Sequence, residues 1–310
     1  MKLQSKIVAL LTFGVIAALP TDAHAGGLVV DASKLEAKSR TSLATEIASS
    51  RSSLASVYAK VRDVQGVKPE VYSKFRNPVP TAGRELHALG KDALLPMLEV
   101  LAFDEAQTGL AAHEKEALTV GMLYAVGEIK DARAVPVLTS VLMSRSSSDP
   151  VAMAAASALG KMCRSSDVKL LAEQAKGGNA RELAGIFGLG ECRSKEAADA
   201  LVVVIRSAKG DAAVQAVRAL GNVGSSWVWA AKKDEGKAVR KLASDALVDA
   251  FAASSSLRKE ASRAILKCDD EDALVRIRSA KDKASKAGRT ADVTDLGDLE
   301  ARIVKHRARK

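Results

Sequence analysis

Residues that could carry chemistry are few and far apart along this 310-residue chain. After position 25 the only histidines are His87, His113 and His306, and none belongs to a zinc-binding pattern such as HExxH. The acidic residues 269–272 lack the alternating spacing and the glycine of a calcium loop. No serine-nucleophile or phosphate-loop motif is present. The sequence therefore predicts no catalytic centre, no metal site and no cofactor.

The cysteines Cys163, Cys192 and Cys268 are the most reactive side chains, and the first two fall at matching points of adjacent repeats. Stacked helices lie about 8–10 Å apart, whereas a disulfide needs Cα atoms within about 7 Å. A Cys163–Cys192 bond therefore requires two loops to lean together. The alternative is three buried or loop thiols at a repeated position. Three cysteines with no histidine nearby do not form a zinc site.

A repeated tripeptide indicates which elements position these residues. Ala-Leu-Gly, or a close variant, ends at Gly90, Gly127, Gly160, Gly190 and Gly221, with spacings of 37, 33, 30 and 31 residues. A constant period in this range is the signature of stacked helical repeats. Because aromatic residues are only 3% of the chain, the core must consist of Ala, Leu and Val, which suits closely packed helices.

Alignment on these glycines brings apolar residues into columns on one side of a helix. The residue two positions before each glycine is small in every aligned unit, which predicts close approach of a neighbouring helix. We expect the glycine itself to end the helix in the left-handed conformation. The column seven residues before the glycine consists of Val120, Met153, Leu183 and Val214.

The helix that follows each glycine carries Leu95-Pro96 in one unit and Val135-Pro136 in the next. With Ala-Leu-Gly at the end of the second helix, this pattern resembles the HEAT repeat family over residues 81–283. The resemblance implies an all-α fold: a right-handed α-solenoid of about six helix pairs with an N-terminal helical cap. The next equivalent of Gly221 is Leu266, 45 residues later, so an insertion or a longer first helix is expected there.

The resemblance also implies where a partner would bind, because the second helix of each HEAT pair usually lines the concave side. The tryptophans in the irregular unit are either ligand anchors or residues that fill space. The predicted binding residues are Arg181, Arg218, Trp227, Trp229, Arg258 and Arg263.

Four segments are predicted along the chain. Residues 1–25 resemble a secretory signal, with Lys2 and Lys6 before an apolar run and Ala23-His24-Ala25 before the cleavage point. A helical cap and linker (26–80) and the solenoid (81–283) follow, and residues 284–310 are predicted to be a basic tail. After the signal, no apolar run is long enough to span a membrane.

These features together predict an exported protein, periplasmic or secreted, that binds or scaffolds without catalysis. The formal charge is +10, and residues 230–310 contain 20 basic and 14 acidic residues, so a protein or an anionic envelope polymer is the expected partner. One alternative is an enzyme, because some HEAT-like proteins are lyases or glycosylases. The other is a nucleic-acid-binding protein, which the basic C-terminus favours and the export signal opposes.

Overall fold

The computed structural model describes residues 26–64, 79–104 and 110–309, and the predicted signal segment lies outside these ranges. Within them the chain forms fifteen α-helices and four short 3-10 helices, with no strand. The prediction of an all-helical solenoid is confirmed.

The solenoid has two layers, made by alternating first and second helices. Each second helix packs against the next second helix and against the first helix that precedes it. The second helices are α3 (Val79–Ala88), α5 (Ala112–Ile129), α7 (Asp149–Met162), α9 (Glu182–Glu191), α11 (Gly210–Val223) and α13 (Arg258–Cys268). The first helices are α4 (Leu94–Ala102), α6 (Val135–Met143), α8 (Ser165–Gln174), α10 (Lys195–Ser207), α12 (Lys233–Ala253) and α14 (Ala273–Lys286).

The second helices stack through the repeated small residues. A Cβ atom at Gly127 would lie 2.8 Å from the Cα of Ala158, and one at Gly221 would lie 2.6 Å from the Cβ of Ala264. At Gly160 a Cβ would lie only 2.0 Å from the carbonyl oxygen of Gly188, which is an overlap. The glycine of one unit therefore receives the small residue of the next, as the sequence predicts.

The prediction that these glycines end their helices is wrong for the units after Gly90. Gly127 and Gly160 lie inside the last turns of α5 and α7, and the residues that cap these helices, three positions later, are Lys130 and Cys163, which adopt the left-handed conformation. Among the repeat glycines, Gly90 alone has a positive φ, of 78°. The other glycines are required by helix–helix contact rather than by helix termination.

An N-terminal cap covers the first end of the stack. It contains α1 (Ala37–Ser50) and α2 (Ala55–Asp63), which pack on α4. The backbone N–H of Leu28 donates to the carbonyl of Val100 at 2.8 Å, and those of Val29 and Val30 donate to Leu101. The segment before the cap helices therefore satisfies carbonyls at the end of α4.

The predicted basic tail is instead a helix that closes the other end. α15 (Thr290–Arg307) packs along α14 through the buried side chains Leu296, Leu299 and Ile303. Their spacing of three and four residues is that of an amphipathic helix. The prediction of a tail rested on the basic composition of residues 284–310 and overlooked this spacing.

The irregular unit after Gly221 has the longer first helix that the spacing predicts. α12 contains 21 residues, and a turn over residues 225–232 precedes it. No helix in the described part of the chain is long and apolar enough to cross a membrane.

Candidate binding face and groove

The second helices expose three rows of side chains at the same positions in successive units. Their positions are counted from the last residue of the repeated tripeptide, which is Gly127, Gly160, Gly190, Gly221 or Leu266. The rows lie seven and three residues before this residue and one residue after it, so their spacing of four places them on one side of each helix. We call this surface the second-helix face. The apolar row is Val120, Met153, Leu183 and Val214; the middle row is Tyr124, Ser157, Phe187, Arg218 and Arg263; and the polar row is Glu128, Lys161, Glu191, Asn222 and Lys267.

The first part of the second-helix face is apolar and only partly covered. Leu183 is 44% exposed and Tyr124 is 41% exposed. Val120, Met153 and Phe187 are half-buried. The sequence placed the apolar row on the packed side of the helices, but the structure leaves it at the edge of the core. Register relative to the glycine could have identified this surface, because the middle row contains Tyr124 and Phe187 at equivalent positions.

Towards the C-terminal end the middle row becomes basic. Arg218 of α11 and Arg263 of α13 both contact Glu260, with N–O distances of 3.2 and 3.1 Å. Hydrogen bonding from Arg218 is the main reason that the pKa of Glu260 lies below its usual value. The two arginines thus lie together, but they share one carboxylate and their net charge is reduced.

The predicted roles of Arg181 and Arg258 in binding need correction, because contacts within the fold occupy both side chains. Arg181 donates to the carbonyls of Ser144 and Ser147 and is only 12% exposed. Arg258 pairs with Asp292 and Asp295 of α15. Arg181 therefore holds the loop before α7, and Arg258 fastens the terminal helix to α13.

A polar cluster joins the apolar part of the face to the polar row. Lys161 donates to Glu128 at 2.7 Å, and its ammonium lies 4.1 Å from the ring centre of Tyr124. Burial alone would raise the pKa of Glu128, but hydrogen bonding and attraction from Lys161 outweigh it, so the pKa is lowered. The cluster fixes one Lys–Glu pair beside an exposed aromatic ring.

A groove of about 690 Å³ runs along the polar row, across the C-terminal ends of the second helices. Its lining includes four cationic side chains and two acidic ones, and Trp227 borders it. The cationic residues are Lys130, Lys161, Arg193 and Lys267. Sequence reasoning missed all four of these cations. Lys130 and Arg193 both lie three residues after a repeat glycine, so the same register would have shown them.

The two tryptophans have opposite environments. Trp229 is 5% exposed and its indole N–H donates to the carbonyl of Val223 at 2.7 Å. Trp227 is 88% exposed. The backbone N–H of Ser226 also donates to the carbonyl of Lys267 at 2.9 Å, so the turn is attached on both sides of Trp227. Trp229 therefore fills space and anchors the turn, which holds Trp227 at the groove.

Cys163 and Cys192 are joined by a disulfide between the ends of α7 and α9, with their Cα atoms 5.0 Å apart. The close stacking at Gly160 and Gly188 brings these two helix ends together, which satisfies the geometric condition set by the sequence. Cys163 lines the groove, whereas Cys268 is a buried free thiol.

Thiol titration of the native protein should detect no reactive cysteine. Burial raises the pKa of Cys268 to about 12, so at pH 8 only about one molecule in ten thousand carries the thiolate. Denaturation without reductant should expose one thiol, and denaturation with reductant should expose three. Three thiols without reductant would show that Cys163 and Cys192 are not bonded.

A second cavity, of about 830 Å³, lies between the N-terminal cap and α6. Val30, Leu35, Val135 and Met143 form its apolar lining, and Arg145 lies at its edge. It belongs to a different surface from the second-helix face. In the described ranges no group of three or more His, Cys, Asp or Glu residues could hold a metal ion.

Comparisons with known proteins add little to this geometry. No protein-family model matches the chain, and no curated protein matches it. Among solved structures, human deoxyhypusine hydroxylase in complex with glycerol is similar at 16% identity, over 82% of this chain and 97% of that chain, with a TM-score of 0.30. A similarity of this size supports no conclusion about function.

Proposed function

We propose that the protein is an exported, non-catalytic binding or scaffolding protein that holds a protein partner on the second-helix face. The observation that carries this proposal is the partly exposed apolar surface formed by equivalent residues of successive repeats. Leu183 and Tyr124 are its most exposed members. Contiguous exposed apolar surface bordered by polar residues is typical of protein interaction sites.

The composition of the face favours a protein over a nucleic acid. Nucleic-acid affinity comes mainly from cations that neutralise phosphates, but three of the five residues in the middle row are uncharged, and Arg218 and Arg263 share Glu260. Apolar and aromatic side chains instead supply the desolvated contacts that dominate protein–protein binding energy. An anionic envelope polymer is a weaker candidate for the same reason.

Export is proposed from residues 1–25 alone, because their charged start, apolar run and Ala23-His24-Ala25 match a cleaved secretory signal. An oxidising compartment is also where a Cys163–Cys192 disulfide would persist. Intact-mass analysis of the exported protein should therefore show a chain that begins at Gly26.

Site-specific photocrosslinking tests the binding proposal. A photoreactive amino acid replaces Leu183 on the second-helix face or, as the matched control, Val203 on α10, which is 64% exposed. We expect a discrete protein adduct from position 183 and none from position 203. Adducts only at position 203, or at neither position, would contradict binding through this face.

A further inference from the structure

We infer that the groove beside Trp227 binds an extended, acidic peptide segment. The inference rests on the proposed function, because the segment would belong to the partner held on the second-helix face. The groove is a distinct contact at the C-terminal ends of the helices, and the peptide that enters it would carry carboxylates.

The aromatic component is Trp227. A tryptophan side chain normally removes 150–250 Å² from water on burial, and Trp227 is 88% exposed although the turn that carries it is attached on both sides of this residue. Presentation of a large ring on a fixed turn lowers the entropic cost of binding. Tryptophan is also among the residues most enriched at binding hot spots.

The charged component is cationic and partly unneutralised. Lys161 is neutralised by Glu128 and Lys267 donates to Asn222 at 3.1 Å. Lys130 and Arg193 are exposed, and neither forms an ion pair with another described residue. Cations near helix C-termini also offset the helix dipole, but their position beside an exposed tryptophan gives them a second use, which is attraction of carboxylates.

Peptide is favoured over other anionic polymers by the number of aromatic rings. Single-stranded nucleic-acid sites stack successive bases on several aromatic side chains, whereas Trp227 is the one aromatic residue among those lining the groove. One aromatic anchor in a groove that is also lined by cations suits a peptide that carries both apolar side chains and carboxylates.

The groove is also continuous with the proposed partner surface. Lys161 lines the groove and simultaneously contacts the ring of Tyr124 in the middle row. The lining extends from the end of α5 to the end of α13, which are five successive second helices. At about 8–10 Å per helix this is roughly 30–40 Å, or about ten residues of extended chain.

Intrinsic fluorescence tests the inference directly, because the chain contains only two tryptophans and Trp229 is already buried. The probe is a synthetic decapeptide of alternating glutamate and leucine, and its control carries lysine in place of glutamate. We expect the glutamate peptide alone to shift the tryptophan emission to shorter wavelength and to reduce acrylamide quenching. The Trp227→Phe variant should lose both responses and keep the emission of Trp229.

Charge reversal measures the electrostatic part with a labelled peptide and fluorescence anisotropy. Lys130→Glu with Arg193→Glu should weaken binding of the glutamate peptide by roughly ten-fold and reduce its salt dependence. The control, Lys169→Glu with Lys237→Glu, makes the same change of charge at exposed positions on α8 and α12 and should leave affinity unchanged. Circular dichroism checks that both variants keep their helicity, and Lys130→Gln with Arg193→Gln replaces the reversal if it does not fold.

Several outcomes would overturn the inference. They are equal binding of both peptides, no protection of Trp227, or protection of Trp227 by polygalacturonate or oligothymidine but not by the glutamate peptide. Crosslinking at position 183 together with peptide failure would remove the groove inference and leave the proposed function. Peptide binding without crosslinking at position 183 would remove the proposed binding through the second-helix face and leave the peptide contact in the groove.

Discussion

Gly160→Ala should destabilise the protein by about 3 kcal/mol, whereas Gly297→Ala should stabilise it by about 1 kcal/mol. Helix propensity favours alanine equally at both positions, so packing decides the sign. A Cβ at Gly160 overlaps the carbonyl of Gly188 on α9, and this carbonyl is backbone that cannot move aside. At Gly297 in α15 the nearest atom is the ammonium of Lys281, 3.9 Å away at the end of a flexible side chain.

Urea denaturation followed by circular dichroism measures both variants under identical conditions. Because repeat arrays lose cooperativity when an internal interface weakens, Gly160→Ala should also broaden the transition. Equal effects of the two substitutions would show that the α7–α9 contact does not depend on the missing side chain. The stacking of the second helices through small residues would then be wrong.

Removal of both Arg51 and Arg62 should cost about 3 kcal/mol, since it leaves the buried carboxylate of Glu99 without its cationic partners. Glu99 lies on α4 and is fully buried, and the two arginines reach it from the cap. A buried unpaired charge is far more costly than the loss of an exposed ion pair.

The triple variant Arg51→Ala, Arg62→Ala, Glu99→Met separates the two explanations. If the cost comes from the buried charge, methionine should recover most of the lost stability in thermal or urea denaturation. Single replacement of Arg133, whose partners Asp131 and Glu46 are both partly exposed, is the control and should cost less than about 1 kcal/mol. No recovery in the triple variant would indicate that the arginine side chains act by packing.

The repeat period made the architecture predictable, because a helix pair buries its apolar side only against its neighbours. The spacing of 45 residues after Gly221 likewise predicted an insertion or a longer first helix, and α12 is that longer helix. The role of the glycines was harder to predict, since a glycine near a helix end is equally compatible with termination and with close contact. Only the position of the neighbouring helix distinguishes them.

The candidate site was less predictable than the fold. Their place on the second helices suggested Arg181 and Arg258. Their hydrogen bonds to Ser144, Ser147, Asp292 and Asp295 depend on loops and on α15, whose positions a single sequence does not show. Trp227 and Trp229 are two residues apart and identical in type. Their opposite burial follows from the direction of one turn.

The most direct test of the central claim, that the second-helix face holds a protein partner, is a paired affinity measurement on that partner, identified by crosslinking at position 183. The variants are Leu183→Glu on α9 and Val203→Glu on α10, which place the same charge at exposed apolar positions of the two layers. We expect Leu183→Glu to weaken binding by about 30-fold, because a carboxylate would be desolvated at the contact. Val203→Glu should stay within about two-fold of the unmodified protein. Equal affinities, or a larger loss for Val203→Glu, would contradict the account and direct attention to the cavity between the cap and α6.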